Sequence, residues 1–197
     1  MNAQNRTDIE LLSAFSKGDK KSLEQLIKRY ERKVYVYILM MVRQPQLAED
    51  LAQDTFIKAI QSLKRGQYAE DNKFGSWLIR IAHNIVIDHF RRNKQRQELL
   101  SCNYDYDLFA TARLSEANAE QRMVYGQVLA DVRALVEQLP MEQREVVLLR
   151  YYGDLSFKEI ADLTDVSINT ALGRMRYALI NMRKTIEAKQ MNMQLSL

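Results

Sequence analysis

The run from Ser156 to Arg176, SFKEIADLTDVSINTALGRMR, restricts the fold most, because it reads as two short helices joined by a tight turn. Ser156 is placed to cap a first helix with an inner face of Phe157, Ile160, Ala161 and Leu163, and the small Ala161 lets a second helix cross closely. Thr164 and Asp165 interrupt the period. Asp tolerates the left-handed backbone such a corner needs, Val166 plugs it, and Ser167 is placed to cap a second helix that runs past Arg176. The inner stripe of that helix is predicted as Ala171, Met175, Ala178 and Met182, leaving Asn169, Thr170, Gly173, Arg174 and Tyr177 facing away. This pattern suits a helix laid in a DNA major groove. It also describes an ordinary amphipathic hairpin of a helical bundle.

The rest of the chain is expected to be helical too. Across 197 residues there are six Gly and two Pro, and no stretch alternates convincingly enough to make a strand. Thr7 precedes a short helix that stops at Gly18. A longer one carries Leu23, Leu26, Ile27, Tyr30, Val34, Tyr37, Ile38 and Met41 on one stripe and ends before Pro45. Pro45 opens a third helix, with Leu47, Leu51, Phe56, Ile60 and Leu63 predicted inward and Gly66 closing it. Phe74 to about Gln97 makes the fourth. Its predicted inner stripe is Phe74, Trp77, Leu78, Ile81 and Ile85, with Arg80, Asn84, Asp88 and Arg91 on the far side.

Helical periodicity fades after about Glu98 and returns at Ser115–Glu116. The expected organisation is therefore all-α: a first domain over 1–97, a flexible acidic linker over 98–116, a second domain over 117–190 containing the helix-turn-helix, and a tail over 191–197. The net charge of +4 is modest but segregated. Between Lys58 and Arg96 nine basic residues face three acids, whereas Gln97–Asp131 holds six acids against two arginines. Beyond Ala171 the chain is basic again, with Arg174, Arg176, Arg183, Lys184 and Lys189 against Glu187. Each basic block could be a solvated face, but two separated ones point to contact with a polyanion at two places.

No residue set supports catalysis. His83 and His89 flank Asp88, but six residues turn a helix by about 600°, so the two rings point to different faces and make no metal pair. Cys102 sits alone in a polar stretch, without a bridge partner or an activating base. The start of the chain is polar and nothing spans eighteen apolar residues, which leads to the expectation of a cytoplasmic protein. No cofactor, metal or small-molecule substrate is expected. Asp50 and Asp54 with Gln53 form either a solvated turn or a docking spot for arginines of a partner protein. Asp88 precedes Arg91 and Arg92 by three and four residues, so it can hold those guanidiniums toward phosphates. Trp77 is either core or a stacking platform.

Taken together, the chain resembles the small two-domain sigma factors of the extracytoplasmic-function group, which direct bacterial RNA polymerase to promoters. The match lies in Asp50-Leu-Ala-Gln-Asp-Thr-Phe56, in Phe74-Gly-Ser-Trp-Leu-Ile-Arg-Ile-Ala-His-Asn84, in Asp88-His-Phe-Arg-Arg92, and in Leu139-Pro-Met-Glu-Gln-Arg144 followed by the helix-turn-helix. The resemblance implies that the first domain is sigma region 2 and the second region 4. It implies that Asp50, Gln53, Asp54 and Phe56 meet the β′ clamp of core RNA polymerase, with the β flap as a further contact. Lys73, Trp77, Arg80, His83, Asn84, Asp88, Arg91 and Arg92 would serve the minus-ten element, where the Lys64–Lys73 loop and Asn84 help capture a flipped base. Ser167, Asn169, Thr170, Gly173, Arg174, Arg176 and Tyr177 would serve the minus-thirty-five element. The acidic linker could lie in a basic channel of the polymerase, and an anti-sigma factor is an expected partner.

Several positions depart from the family pattern: His83 replaces a usual Arg, Asp165 a Gly, Leu172 a Lys or Arg, and Gly173 a Ser. Leu172 either touches a thymine methyl or joins the core stripe, with core favoured, and Gly173 lets backbone approach the groove. The rivals are a dimeric helix-turn-helix regulator acting on an operator without polymerase, and a helical enzyme. The first lacks a receiver pattern or dimer helix, and the second lacks a cluster of ligands.

Overall fold

The computed structural model describes residues 6–68, 73–100 and 132–189, and all of the regular structure in them is helical. They fall into two compact units, within Met1–Ala110 and Thr111–Leu197.

In the first unit, α1 (Asp8–Ser16) opens on a reciprocal cap, in which the Glu10 amide donates to Thr7 Oγ1 at 3.3 Å and the Thr7 amide donates to the Glu10 carboxylate at 2.7 Å. Gly18, at φ 98°, makes the turn. Asp19 then caps α2 (Lys20–Val42), accepting from the Lys21 amide at 3.0 Å and from Ser22 Oγ at 2.7 Å. A left-handed Arg43 ends α2, and Pro45 starts α3 (Pro45–Lys64) where its missing N–H costs nothing. The last element of the unit, α4 (Phe74–Leu100), runs past the expected end near Gln97, so residues 98–100 of the expected linker are helical. The remainder of that linker, with Cys102, and the tail lie outside the described residues.

Helices α2, α3 and α4 bury one core between them. From α2 come Leu26, Val34, Tyr37, Ile38 and Met41. The expected stripe on α3 is displaced: of Leu47, Leu51, Phe56, Ile60 and Leu63 only Leu51 is buried, and the contact edge is built from Ala48, Ala52, Thr55 and Ala59. Small side chains let the helix axes approach, and the large ones fill the flanks. The hydroxyl of Thr55 donates to the Leu51 carbonyl at 2.7 Å, which makes its burial tolerable. On α4 the buried arc is Phe74, Leu78, Ile79, Ala82, His83, Ile85 and Val86, with Trp77 and Ile81 at its margin.

Gly75 joins α4 to α2. A Cβ there would stand 2.7 Å from Tyr30 Cε1, so only glycine admits that ring. Seated there, Tyr30 packs edge-on to Phe74 at 5.5 Å and donates its hydroxyl to Asp8, which Arg29 also engages. Burial, then Asp8, push the Tyr30 hydroxyl pKa far above its ordinary value, so it remains a donor.

The second unit holds α5 (132–137), α6 (Met141–Gly153), α7 (Phe157–Leu163) and α8 (Ile168–Lys189). Its core is Leu135, Val136, Leu139, Val146, Leu148, Leu149, Leu155 and Ile160, closed by Ala161, Ala171 and Ala178. Ser156 caps α7 through a second reciprocal box with Glu159, at 3.2 and 2.8 Å. Asp165 takes the left-handed conformation at φ 53°, Val166 is half-buried at the corner, and the Thr170 amide donates to Ser167 Oγ at 3.0 Å. The two-helix unit read from Ser156 onward is therefore present, with its caps and corner as expected. Arg150 braces its entry by donating to the Leu155 carbonyl at 2.8 Å, its guanidinium lying 5.7 Å from the Phe157 ring centroid.

Gly75→Ala should displace Tyr30 and loosen α1 and α4 together, at a cost of about 1–3 kcal/mol. Urea unfolding followed by circular dichroism measures it, and Gly18→Ala, with open space around its Cβ, separates this steric cost from left-handed strain.

Candidate polymerase and promoter interfaces

The acidic turn of α3 faces outward. Asp50, Gln53 and Asp54 are all exposed, while Ala48, Ala52 and Thr55 hold the opposite side in the core. Phe56 does not belong with them. It lies four residues after Ala52 and three before Ala59, on the flank of the buried edge, and is half-buried there. Ile57 takes the place assigned to it: seven residues after Asp50, four after Gln53 and three after Asp54, its side chain is 54% exposed among them. The same spacing rule applied to the acidic residues finds Ile57 in the sequence.

On α4, Asn84, Arg91 and Arg92 are exposed, and Arg80 and Asp88 are half-buried beside them. Asp88 holds Arg91 at 3.1 Å as the three-residue spacing predicts, but Arg92 reaches the Asp88 backbone carbonyl, at 3.2 Å, and not the carboxylate. Trp77 lies between core and surface. Its ring stacks at an angle on Phe74, 5.5 Å away, and meets the edge of Tyr68 at 5.0 Å, yet it remains partly exposed at the margin of the polar stripe. Tyr68, which sequence reasoning passed over as loop, thus carries the aromatic cluster out to the start of the Lys64–Lys73 connection. Lys73 is exposed at its far end, and residues 69–72 lie outside the described residues.

His83 is misplaced as a DNA contact. Four residues after Ile79 and three before Val86, it falls on the buried arc at 2% exposure, its Nδ1 lying 3.2 Å from the Tyr37 hydroxyl. Burial pulls its pKa down to about 4, so it is neutral in ordinary conditions and offers no charge to a phosphate.

On α8, Ser167, Asn169, Thr170, Arg176 and Tyr177 are exposed, and Gly173 has open space above its Cα. Arg174 does not project with them. It follows Ala171 by three residues and precedes Ala178 by four, so it shares their side of the helix and leans onto α6, Nη1 3.9 Å from Glu145 Oε2. One hundred degrees from Ala171, Leu172 is 43% exposed and outside the core stripe. With Phe157, Met175 and Leu179 it lines an apolar groove rimmed by Arg176 and Arg183.

One unit carries an outward acidic turn and a basic helix beside an aromatic cluster, and the other a capped helix-turn-helix. Comparison with known proteins gives the family of each unit. Residues 26–96 match the sigma-70 region 2 family and residues 129–176 the sigma-70 region 4 family. The RNA polymerase sigma factor YlaC of Bacillus subtilis is 30% identical, over 86% of this chain and 96% of its own. The chain belongs to the extracytoplasmic-function group of bacterial sigma factors. The sigma-E factor of Haemophilus influenzae is 28% identical over 95% of this chain and 97% of its own. In fold the chain is like the sigma factor RpoE of Bartonella quintana, solved with the anti-sigma factor NepR, at a TM-score of 0.64 and 18% identity over 85% of this chain and 98% of that one.

This sigma factor is a promoter-specificity subunit that binds core RNA polymerase and promoter DNA, and it is not an enzyme. Among the described residues, no helix is long and apolar enough to cross a membrane.

Because His83 titrates lower in the folded unit than in the unfolded chain, its contribution to stability is complete above pH 6.5 and is lost as pH falls toward 4. Thermal melts between pH 7 and 4 should show that slope, and His83→Gln should flatten it.

Proposed function

We propose that the Asp50, Gln53, Asp54 and Ile57 face docks on the β′ clamp of core polymerase, with the isoleucine as the apolar anchor inside an acidic rim. Aliphatic burial supplies affinity at such a contact, and the carboxylates give orientation and select basic partners. The exposure of Ile57 among the acids is the observation that carries this reading. Phe56 supports the helix from within.

Asn84, with Lys73, Arg80, Arg91, Arg92 and the Trp77 edge, serves the melted minus-ten strand, and Tyr68 extends its stacking surface. Asp88 positions Arg91. In the second unit, Asn169, Thr170, Gly173, Arg176 and Tyr177 read the minus-thirty-five duplex, with Ser167 capping the helix at the groove. The groove lined by Phe157, Leu172, Met175 and Leu179 receives the β flap. An anti-sigma factor is the expected negative regulator, and the cytoplasm, where polymerase works, is the expected location. The first domain runs to the end of α4 at Leu100, past the expected limit of 97, and the second is taken as 117–190.

Asp50→Ala with Asp54→Ala, and separately Ile57→Ala, should each lower affinity for core polymerase by about tenfold or more, an interface loss of at least about 1.4 kcal/mol. Melting temperature should hardly change, because exposed acids contribute little to stability. Fluorescence anisotropy of labelled protein titrated with core polymerase measures the loss, and undiminished binding by all three substitutions would remove this face from the interface. Asn84→Ala should weaken promoter opening by roughly 1–3 kcal/mol while sparing upstream duplex binding, as read by permanganate footprinting of the bubble.

A further inference from the structure

Between α6 and α8 lies a polar seam that the family assignment does not account for. Glu145 is among the most buried charged residues of the described chain, with its side chain 10% exposed, and Arg174 opposite it is 25% exposed. Two turns further along α8, Asn181 donates to Gln143 Oε1 at 2.8 Å, so α6 grips the same edge of α8 twice. At 3.9 Å the Glu145–Arg174 contact is an ion pair longer than a hydrogen bond. The guanidinium has five N–H donors on a planar fork. One side of that fork is turned to the carboxylate, which leaves donors on its exposed side for another anion.

We propose that Glu145 is a positioning residue for DNA recognition: it holds the Arg174 guanidinium on the α6 edge of α8, where its outer N–H groups meet the DNA backbone beside the bases read by the outward face. The proposal rests on α8 being the helix that reads the minus-thirty-five element. A phosphate clamped at a fixed place sets how α8 lies in the groove, so a contact with no sequence information of its own governs which residues reach the bases. If Glu145 is neutral, Arg174 keeps its charge but loses its fixed place. Backbone affinity then persists while discrimination falls.

Burial pushes the Glu145 carboxyl up to about 7, with Arg174 of α8 drawing it down and Glu142 of α6 adding to the rise. The hold on Arg174 is therefore present above about pH 7 and lost below it. For stability the sign is opposite. A carboxyl whose folded pKa is raised favours the folded unit at low pH, and this advantage disappears as pH rises through 7. Glu145→Gln should accordingly fold at least as well as the natural chain at pH 8.

The test is competition binding of reconstituted holoenzyme to a promoter and to the same promoter with a scrambled minus-thirty-five element, so that effects of pH on polymerase cancel in the ratio. Glu145→Gln should lower that ratio about threefold to tenfold at pH 8 with little loss of affinity for the scrambled promoter. Arg174→Ala should weaken both promoters and reduce the salt slope by about one. In the Arg174→Ala background, Glu145→Gln should add nothing. The unsubstituted protein should lose preference between pH 8 and pH 6, and Glu145→Gln should be flat over that range. Additive substitutions, an unchanged ratio in Glu145→Gln, or a pH-independent preference in the unsubstituted protein would each overturn the proposal. Asn169→Ala reports on the underlying reading: if it weakens promoter binding while the other tests fail, only the role of Glu145 falls, and if it too has no effect, α8 is not the reading helix.

Discussion

Close helix approach across small side chains is the constraint on which both units depend. Ala48, Ala52, Thr55 and Ala59 bring α3 onto its neighbours, Gly75 admits the Tyr30 ring, and Ala161, Ala171 and Ala178 close the helix-turn-helix. Each of these contacts fixes a helix in rotation about its own axis. Once rotation is fixed, the outward residues are fixed as well: Asp50, Gln53, Asp54 and Ile57 on α3, and Asn169, Thr170 and Tyr177 on α8. Function here is the display of particular side chains, so the small residues of the interior decide which contacts the surface can make.

The same rotation explains why charged residues near the interfaces differ in role. Arg91 and Arg92 stand on an exposed arc and are only loosely organised by Asp88. Arg174 is drawn against a buried carboxylate and loses much of its freedom. An arginine ordered in advance gives up less entropy on binding and tolerates less displacement of its phosphate. The two units thus hold similar side chains differently, with an exposed carboxylate in one and a buried one in the other.

Much of the local structure was legible in the residues. The caps at Thr7, Ser156 and Ser167, the start at Pro45 and the left-handed corner at Asp165 follow from side-chain and backbone chemistry within a few positions. The stripes were harder. A count of large apolar residues points to Phe56, Ile60 and Leu63 as the inner face of α3, whereas three alanines and a threonine occupy it, because small residues win where helices must approach. His83 was assigned to the minus-ten element by resemblance to the family. Its burial follows from Ile79 and Val86 on the same face, and its partner, Tyr37, lies 46 positions away in the chain.

By itself, then, the sequence determined the helices, their capped starts, the turn between α7 and α8, and the family to which the chain belongs, since these depend on dihedral preference and on spacing over one or two turns, while the far end of α4 ran past its expected limit. Only the tertiary structure decided what each face meets. It withdrew His83 from the surface, left Phe56 half-buried on the flank of α3, exposed Ile57 and Leu172, added Tyr68 to the aromatic cluster and set Arg174 against Glu145. Desolvation is the physical reason: whether a side chain is core, contact or latch depends on which distant segment covers it, and no local pattern encodes that neighbour.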